Sequence, residues 1–364
     1  MALDPLAALD ELQTEMDGLP DGLAKLLLLE RAVELADAAQ DLDLGFEMRM
    51  ELTGQALTAG RGDVLSVAFA WCIARFDESP ERFPDFDVMW AYRWVISELA
   101  KNPAIPRIQV LAMIDEMTTR YRSVGASMRS VEMLRLNVST DLGDSEMGRT
   151  AFSAAHRARK DEFCDDPESE MNFSIGHYYS ERLYKIQLQK SERFWIDPGK
   201  TDEFHVGKIL CNALLPLMLA GRWAEAERCH ELGLRANRKN SRFVNRIADH
   251  IRYLTHSGQT AKSLALFRKW LPTCLSSVNA SDQLEYTTQG WLLMKALEGG
   301  PAIRLKLPGV DAEKHDALAL IRHFHDSARG IAGLFDQRNG NDFFSKQLKQ
   351  ELRDATAILK LRKV

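Results

Sequence analysis

Apolar residues recur along this chain at helical intervals almost everywhere. Leu210, Ala213, Leu214 and Leu217 fall at i, i+3, i+4 and i+7, and Ile247, Ile251 and Leu254 repeat the spacing, so each set shares one helix face. Alternating β-branched runs bounded by turn residues, the mark of half-buried strands, are missing. The late stretch "AILKLRK" continues the helical register of residues 351–356. The pattern predicts an all-α chain.

Polar turn signals interrupt it at a steady interval. They are "GRGD" (60–63), "NPAIP" (102–106), "LGDSE" (142–146), "SER" (180–182), "AGRW" (220–223), "SGQT" (257–260) and "EGGP" (298–301). A fixed period of about 40 residues is the signature of a repeat array, each unit reading as helix, tight turn, helix, looser connector. The Pro-containing "DESPERFPDF" and "DDPESE" fit the connectors. One hairpin cannot bury its apolar face alone, so neighbours must stack. The expectation is about eight hairpins in one array over 1–364, an acidic connector at 161–170, and a charged final stretch, 341–364, acting as a capping helix.

Composition acts mainly by exclusion. The formal charge of −5 gives no general attraction to nucleic acid or anionic lipid. No apolar run approaches the roughly 20 residues of a membrane span, and the acidic start "MALDPLAALDELQ" lacks the basic region of a signal peptide. Five scattered cysteines without a CxxC fit a reducing cytoplasm, with Cys211 and Cys229 read as buried, inert thiols.

The stretch "LLPLMLAGRWAEAERCHELGLRANRKN" (214–240) carries a more specific signal. Gly221, Trp223, Ala226 and Gly233 fall at the spacing of a turn glycine, an aromatic, a small residue at a helix contact and a later small residue. Gly258, Ser263 and Phe267 repeat it more weakly, and Gly62, Val67, Trp71 and Ala74 suggest an early copy. These units resemble tetratricopeptide repeats. The resemblance implies a right-handed superhelix of hairpins that binds a protein or peptide on its inner, concave face. Leu214 stands where the family favours a tiny residue and Arg238 where it often has Pro, and the period exceeds the family's roughly 34 residues. Over about 28–300, "LERAVELAD", "WAYRWV", "MTTRYRSVG" and "ALLPLMLAGRWAEA" are similar to a group of large bacterial, largely actinobacterial, tetratricopeptide-type proteins. Some members carry a CxxC after the fourth hairpin. Here "DEFCDDPESE" has one Cys, so no metal or redox role carries over.

In that family the first helix of each hairpin lines the groove. Aligning Gly221 with Gly258 sets Lys208, Asn212, Leu215 and Leu219 against Asn245, Asp249, Arg252 and His256, each set on one helix face. Lys208, Asn212, Asn245, Asp249 and Arg252 would form a polar strip. Its cations suit carboxylates, and its asparagines suit peptide amides. The same strip also reads as a solvated face. Pro216 should free the carbonyl of Asn212, because proline has no N–H to donate to it.

Catalytic signals are weak. His323 and His325 in "HFHD" point to different helix faces, which disfavours a metal pair. HExxH, GxSxG and phosphate-cradling loops are missing. The acidic run 161–170 lacks the spaced ligands and Gly of a calcium loop. The basic cluster Arg235, Arg238, Lys239, Arg242 and Arg246 lacks interleaved aromatics for nucleic acid. Trp90 and Trp94, at i and i+4, read as core. The leading expectation is a non-catalytic scaffold or adaptor without cofactor or metal. Two alternatives remain open: a sensor of a small peptide or ligand acting through a partner protein, and an enzyme on a helical toroid.

Overall fold

The computed structural model describes residues 4–83, 85–237, 244–277, 279–308 and 313–362, excluding the side chains of residues 85, 244 and 245. The chain divides into two compact units: Met1–Leu134 with Ala155–Cys164, and Arg135–Ala154 with Asp165–Val364. The first holds α1 (Pro5–Asp17), α2 (Leu23–Ala39), α3 (Leu42–Ala59), α4 (Gly62–Glu78), α5 (Asp85–Ala100) and α6 (Arg107–Ser123). Helices α7 (Arg129–Asp141) and α8 (Ser145–Arg157) each contribute to both units. The second continues with α9 (Pro167–Ser180), α10 (Tyr184–Ser191), the single turn α11 (Arg193–Ile196), α12 (Glu203–Leu219) and α13 (Trp223–Asn237). It ends with α14 (Val244–His256), α15 (Thr260–Ser276), α16 (Ala280–Ala296), α17 (Ala317–Asn339) and α18 (Phe343–Arg362).

The turns show why these residues form hairpins. Gln40, Gly60, Gly125, Gly143, Arg182, Gly221, Gly258 and Gly340 all take a positive φ. In each case the next residue's N–H bonds a carbonyl five residues back, as Arg222 to Leu217 and Gln259 to Leu254. This left-handed cap satisfies carbonyls that a helix end would otherwise orphan. Gly143, Arg182, Gly221 and Gly258 recur near the expected period. The residue five positions beyond the turn is buried in each copy: Gly148, Gln187, Ala226 and Ser263. Gly60 with buried Leu65 fits the same register, which corrects the early copy read from Gly62. Val67, placed there at a packing position, is 73% exposed.

Consecutive helices pack on one another within each unit. In the second, α12 packs on α13 and α14, α14 on α15 and α16, and α16 on α17. Ile209, Leu210, Leu214 and Leu217 of α12 centre one apolar cluster. Phe267, Tyr286, Leu293 and Phe324 centre the next. An antiparallel pair, β1 (Ile303–Arg304) and β2 (Lys314–His315), interrupts the helical pattern between α16 and α17. Ile303, Leu305 and Leu307 are buried while Arg304 and Lys306 are exposed, a strand alternation too short to register beside the long helices. Among the described residues no helix is long and apolar enough to cross a membrane.

Candidate functional site

Helices α12, α14 and α16 are the first helices of three successive hairpins, and α18 lies against all three. A cap would cover the end of the array. Helix α18 instead runs back from α17 across these inner helices. At its start, Asn341 donates to the carbonyls of Leu142 and Gly143 in the α7–α8 turn. At its end, Arg362 reaches the carbonyl of His256. Between them, Ala355 and Ile358 enter the two apolar clusters.

Two ion pairs add to the apolar hold on α18. Arg252 Nη1 donates to Asp249 at 2.6 Å, and its Nη2 donates to Glu351 of α18 at 3.0 Å. Gln289 Nε2 from α16 donates to the other Glu351 oxygen at 3.1 Å. One turn along α18, Asp354 takes both nitrogens of the Arg182 fork at 2.8 Å. It also accepts from Gln350 at 2.9 Å. Arg182 sits at φ 56, where most hairpin turns carry glycine. A side chain in this region costs about 1–2 kcal/mol, so the bidentate contact persists against local strain.

Two residues of the expected strip are covered, while Lys208 and Asn212 stay half-buried. Asp249 and Arg252 are 8% and 6% exposed, because Glu351 and its helix close over them. Burial pushes the Asp249 carboxyl upward while the Arg252 charge opposes that push. Asn212 Oδ1 accepts from Arg246 at 3.0 Å. The Asn212 carbonyl beside Pro216 is occupied too: buried Gln187 donates to it at 2.5 Å. Lys208 places its ammonium 3.9 Å from the centre of the Phe204 ring. The Asn245 side chain lies outside the described residues, as do Arg238, Lys239 and Arg242 of the basic cluster.

Three groove atoms are not matched by α18. Arg252 Nε, Gln289 Oε1 and His256 Nδ1 are buried without a hydrogen-bond partner. Each such group costs about 1–3 kcal/mol relative to a satisfied one. Glu285 on α16 stays exposed on this face. The surrounding protein, then the Asp249 charge, push its carboxyl upward, and the Arg246 and Arg252 charges oppose that push.

Behind the groove lies a neutral network. His230 Nδ1 and His250 Nδ1 are 3.1 Å apart, and His250 Nε2 is 3.3 Å from Cys211 Sγ. Burial, with Lys262 adding to it, lowers His230 to about 4; burial, then His230, lowers His250. Burial raises the thiols of Cys211 and Cys229, as expected of inert cysteines. The face beneath α18 presents the Arg252 guanidinium and the Gln289 amide to a carboxylate.

Sequence reasoning missed Arg182, Gln187, Gln289, Glu351 and Asp354. Arg182 had a visible signal, since "SER" is a hairpin turn without a glycine. Glu351 and Asp354 share a helix face, but nothing in the chain says which helix receives them.

No family model matches this chain, and no curated protein matches it. Among solved structures, the crystal structure of the P58(IPK) TPR domain aligns over 99% of this chain and 94% of its own at 13% identity, with a TM-score of 0.24. A likeness that loose carries no argument here. The helix–turn–helix reading rests on the turns and packing described above.

Proposed function

We propose that the second unit is a non-catalytic protein-binding module that takes a helical segment of a partner along the inner face of α12, α14 and α16. One observation carries this reading: that face already holds an amphipathic helix, α18, through paired carboxylates and two apolar side chains. Helix-in-groove recognition works through such anchors at helical spacing. The test is a photo-crosslinking amino acid placed in the full chain at Glu285, on the inner face, or at the exposed Arg268 of α15. A discrete partner adduct at Glu285 and none at Arg268 supports the reading. Equal labelling at both positions, or none at either, rejects it.

A further inference from the structure

We propose that α18 is a displaceable occupant of this groove, and that the external partner is an acidic amphipathic helix. The partner would carry two carboxylates one turn apart, then a small residue and a branched aliphatic on the same face. This inference rests on reading the inner face as a binding groove, and it adds the partner's chemistry and the regulation of access.

The partner's pattern follows from the contacts. Glu351, Asp354, Ala355 and Ile358 fall at i, i+3, i+4 and i+7, one helix face. The first two meet Arg252 and Arg182, so the groove supplies two cations spaced for two carboxylates. The last two enter the apolar clusters on either side. A segment with this spacing reproduces the contacts that Glu351, Asp354, Ala355 and Ile358 make.

Displacement follows from how little else holds the helix. Of the 20 residues of α18, only Phe344, Asp354, Ala355 and Ile358 are buried, and Phe344 is at the start, packed on Phe335. Beyond Phe344 the attachment is two ion pairs, the Gln289 and Arg362 hydrogen bonds, the half-buried Leu348, and the buried Ala355 and Ile358. Leu352, Leu359 and Leu361 stay exposed. The occupant is also imperfect. Arg252 Nε, Gln289 Oε1 and His256 Nδ1 belong to three residues that already touch α18, yet they gain no partner from it. A helix that offers an acceptor to Arg252, a donor to Gln289 and a partner to His256 would make hydrogen bonds that α18 does not. The left-handed turn at Gly340 and the anchored Asn341 fix the point from which the rest of α18 can swing.

The test uses the full chain and a labelled peptide with the sequence of residues 343–362, followed by fluorescence anisotropy. Wild-type chain should bind the peptide weakly. The Glu351→Gln/Asp354→Asn chain, whose own helix is loosened while its groove is intact, should bind at least tenfold more tightly. A peptide carrying those same two changes should bind neither chain. Circular dichroism verifies that the variant chain is folded. If it is not, hydrogen exchange on the wild-type chain replaces it: excess peptide should strip protection from 346–362 and leave α12 unchanged. Equal affinity for the two chains, or unchanged exchange of α18, overturns the proposal. Light scattering that finds a dimer of the variant with exchanged helices overturns the external partner in favour of a second copy. Failure here with a discrete Glu285 adduct leaves the binding module standing with α18 as fixed lining. Peptide exchange without any adduct leaves a self-exchanging helix and rejects the scaffold reading.

Discussion

Helices α12 and α18 belong to the same unit and touch one another, yet they are held by different physics. Helix α12 buries eleven of its 17 residues, nearly all apolar, and neighbours cover it on both sides. Helix α18 is longer and buries four. Apolar burial contributes roughly 25 cal/mol per Å² and needs no particular partner geometry. Ion pairs between charged side chains contribute little unless they are shielded from water, and they demand an exact counterpart. The difference separates a helix that builds the array from one that occupies it. Attachment through a few specific pairs is what the proposed displacement of α18 requires.

The largest expected effect tests this division directly. Leu214 on α12 and Ile358 on α18 are both fully buried in one cluster. Leu214→Ala should cost about 2–5 kcal/mol, read as a lower urea midpoint for the second unit as a whole. Ile358→Ala removes a similar volume, but its cost should appear as faster hydrogen exchange confined to 346–362. If both variants lower the global midpoint equally, α18 is an ordinary core helix and the contrast is void.

A smaller effect sharpens the α12 side. Ala226 is fully buried on α13, five residues past the Gly221 turn, in the cluster built around α12. Ala226→Leu should overpack that contact and cost about 1–3 kcal/mol in chemical denaturation. An unchanged midpoint would show that the hairpin register read from Gly221 is wrong.

The array was legible in the sequence because repetition is a local signal. Gly221 and Gly258 mark turns, and the apolar faces between them follow the 3.6-residue period, so neither needs knowledge of distant residues. The groove was legible in part. Asp249 and Arg252 were read as a solvent-facing strip, but their exposure depends on α18, about a hundred residues later. Nothing near either residue records that Glu351 returns to them. The carbonyl beside Pro216 shows the same limit, since its donor is Gln187 from another hairpin. The short β1–β2 pair was missed for a different reason. "IRLKL" does alternate, but five residues do not outweigh helical patterns many times longer.

The next effect is a pH dependence at the end of α18. His256 is pushed down to about 4 by burial and then by Arg252, while Asp354 of α18 acts the other way. Its folded value lies below the ordinary 6.5, so the unfolded chain binds the proton more readily. The contribution is therefore complete above about pH 6.5 and is lost as pH falls toward 4, at about 1.4 kcal/mol per pH unit. His230, also lowered to about 4, adds a slope of the same sign. Glu285 opposes both, since its raised value favours the folded state at low pH, and its exposure weakens that term. His256→Leu should flatten urea stability between pH 6.5 and 5 by about one histidine's worth. An unchanged slope would mean that His256 already carries its proton in the folded chain.

The smallest net effect is the most discriminating, because two opposing terms meet at Arg182. Its backbone is in the left-handed region, which costs about 1–2 kcal/mol for any residue with a Cβ. Its side chain holds Asp354, but that side chain is 42% exposed and Asp354 keeps a second donor in Gln350. Losing the pair should therefore cost only about 1 kcal/mol. Arg182→Gly removes the pair and the strain together, so global stability should barely move. Arg182→Ala removes the pair and keeps the strain, so it should fall below the glycine variant by about 1–2 kcal/mol. Both variants should speed hydrogen exchange of 346–362, because both release the same anchor of α18. Equal stability of the two would mean that the turn stores no strain. Unchanged exchange in both would mean that Asp354 is held by its burial rather than by Arg182, and that α18 is fixed more like α12 than its four buried residues imply.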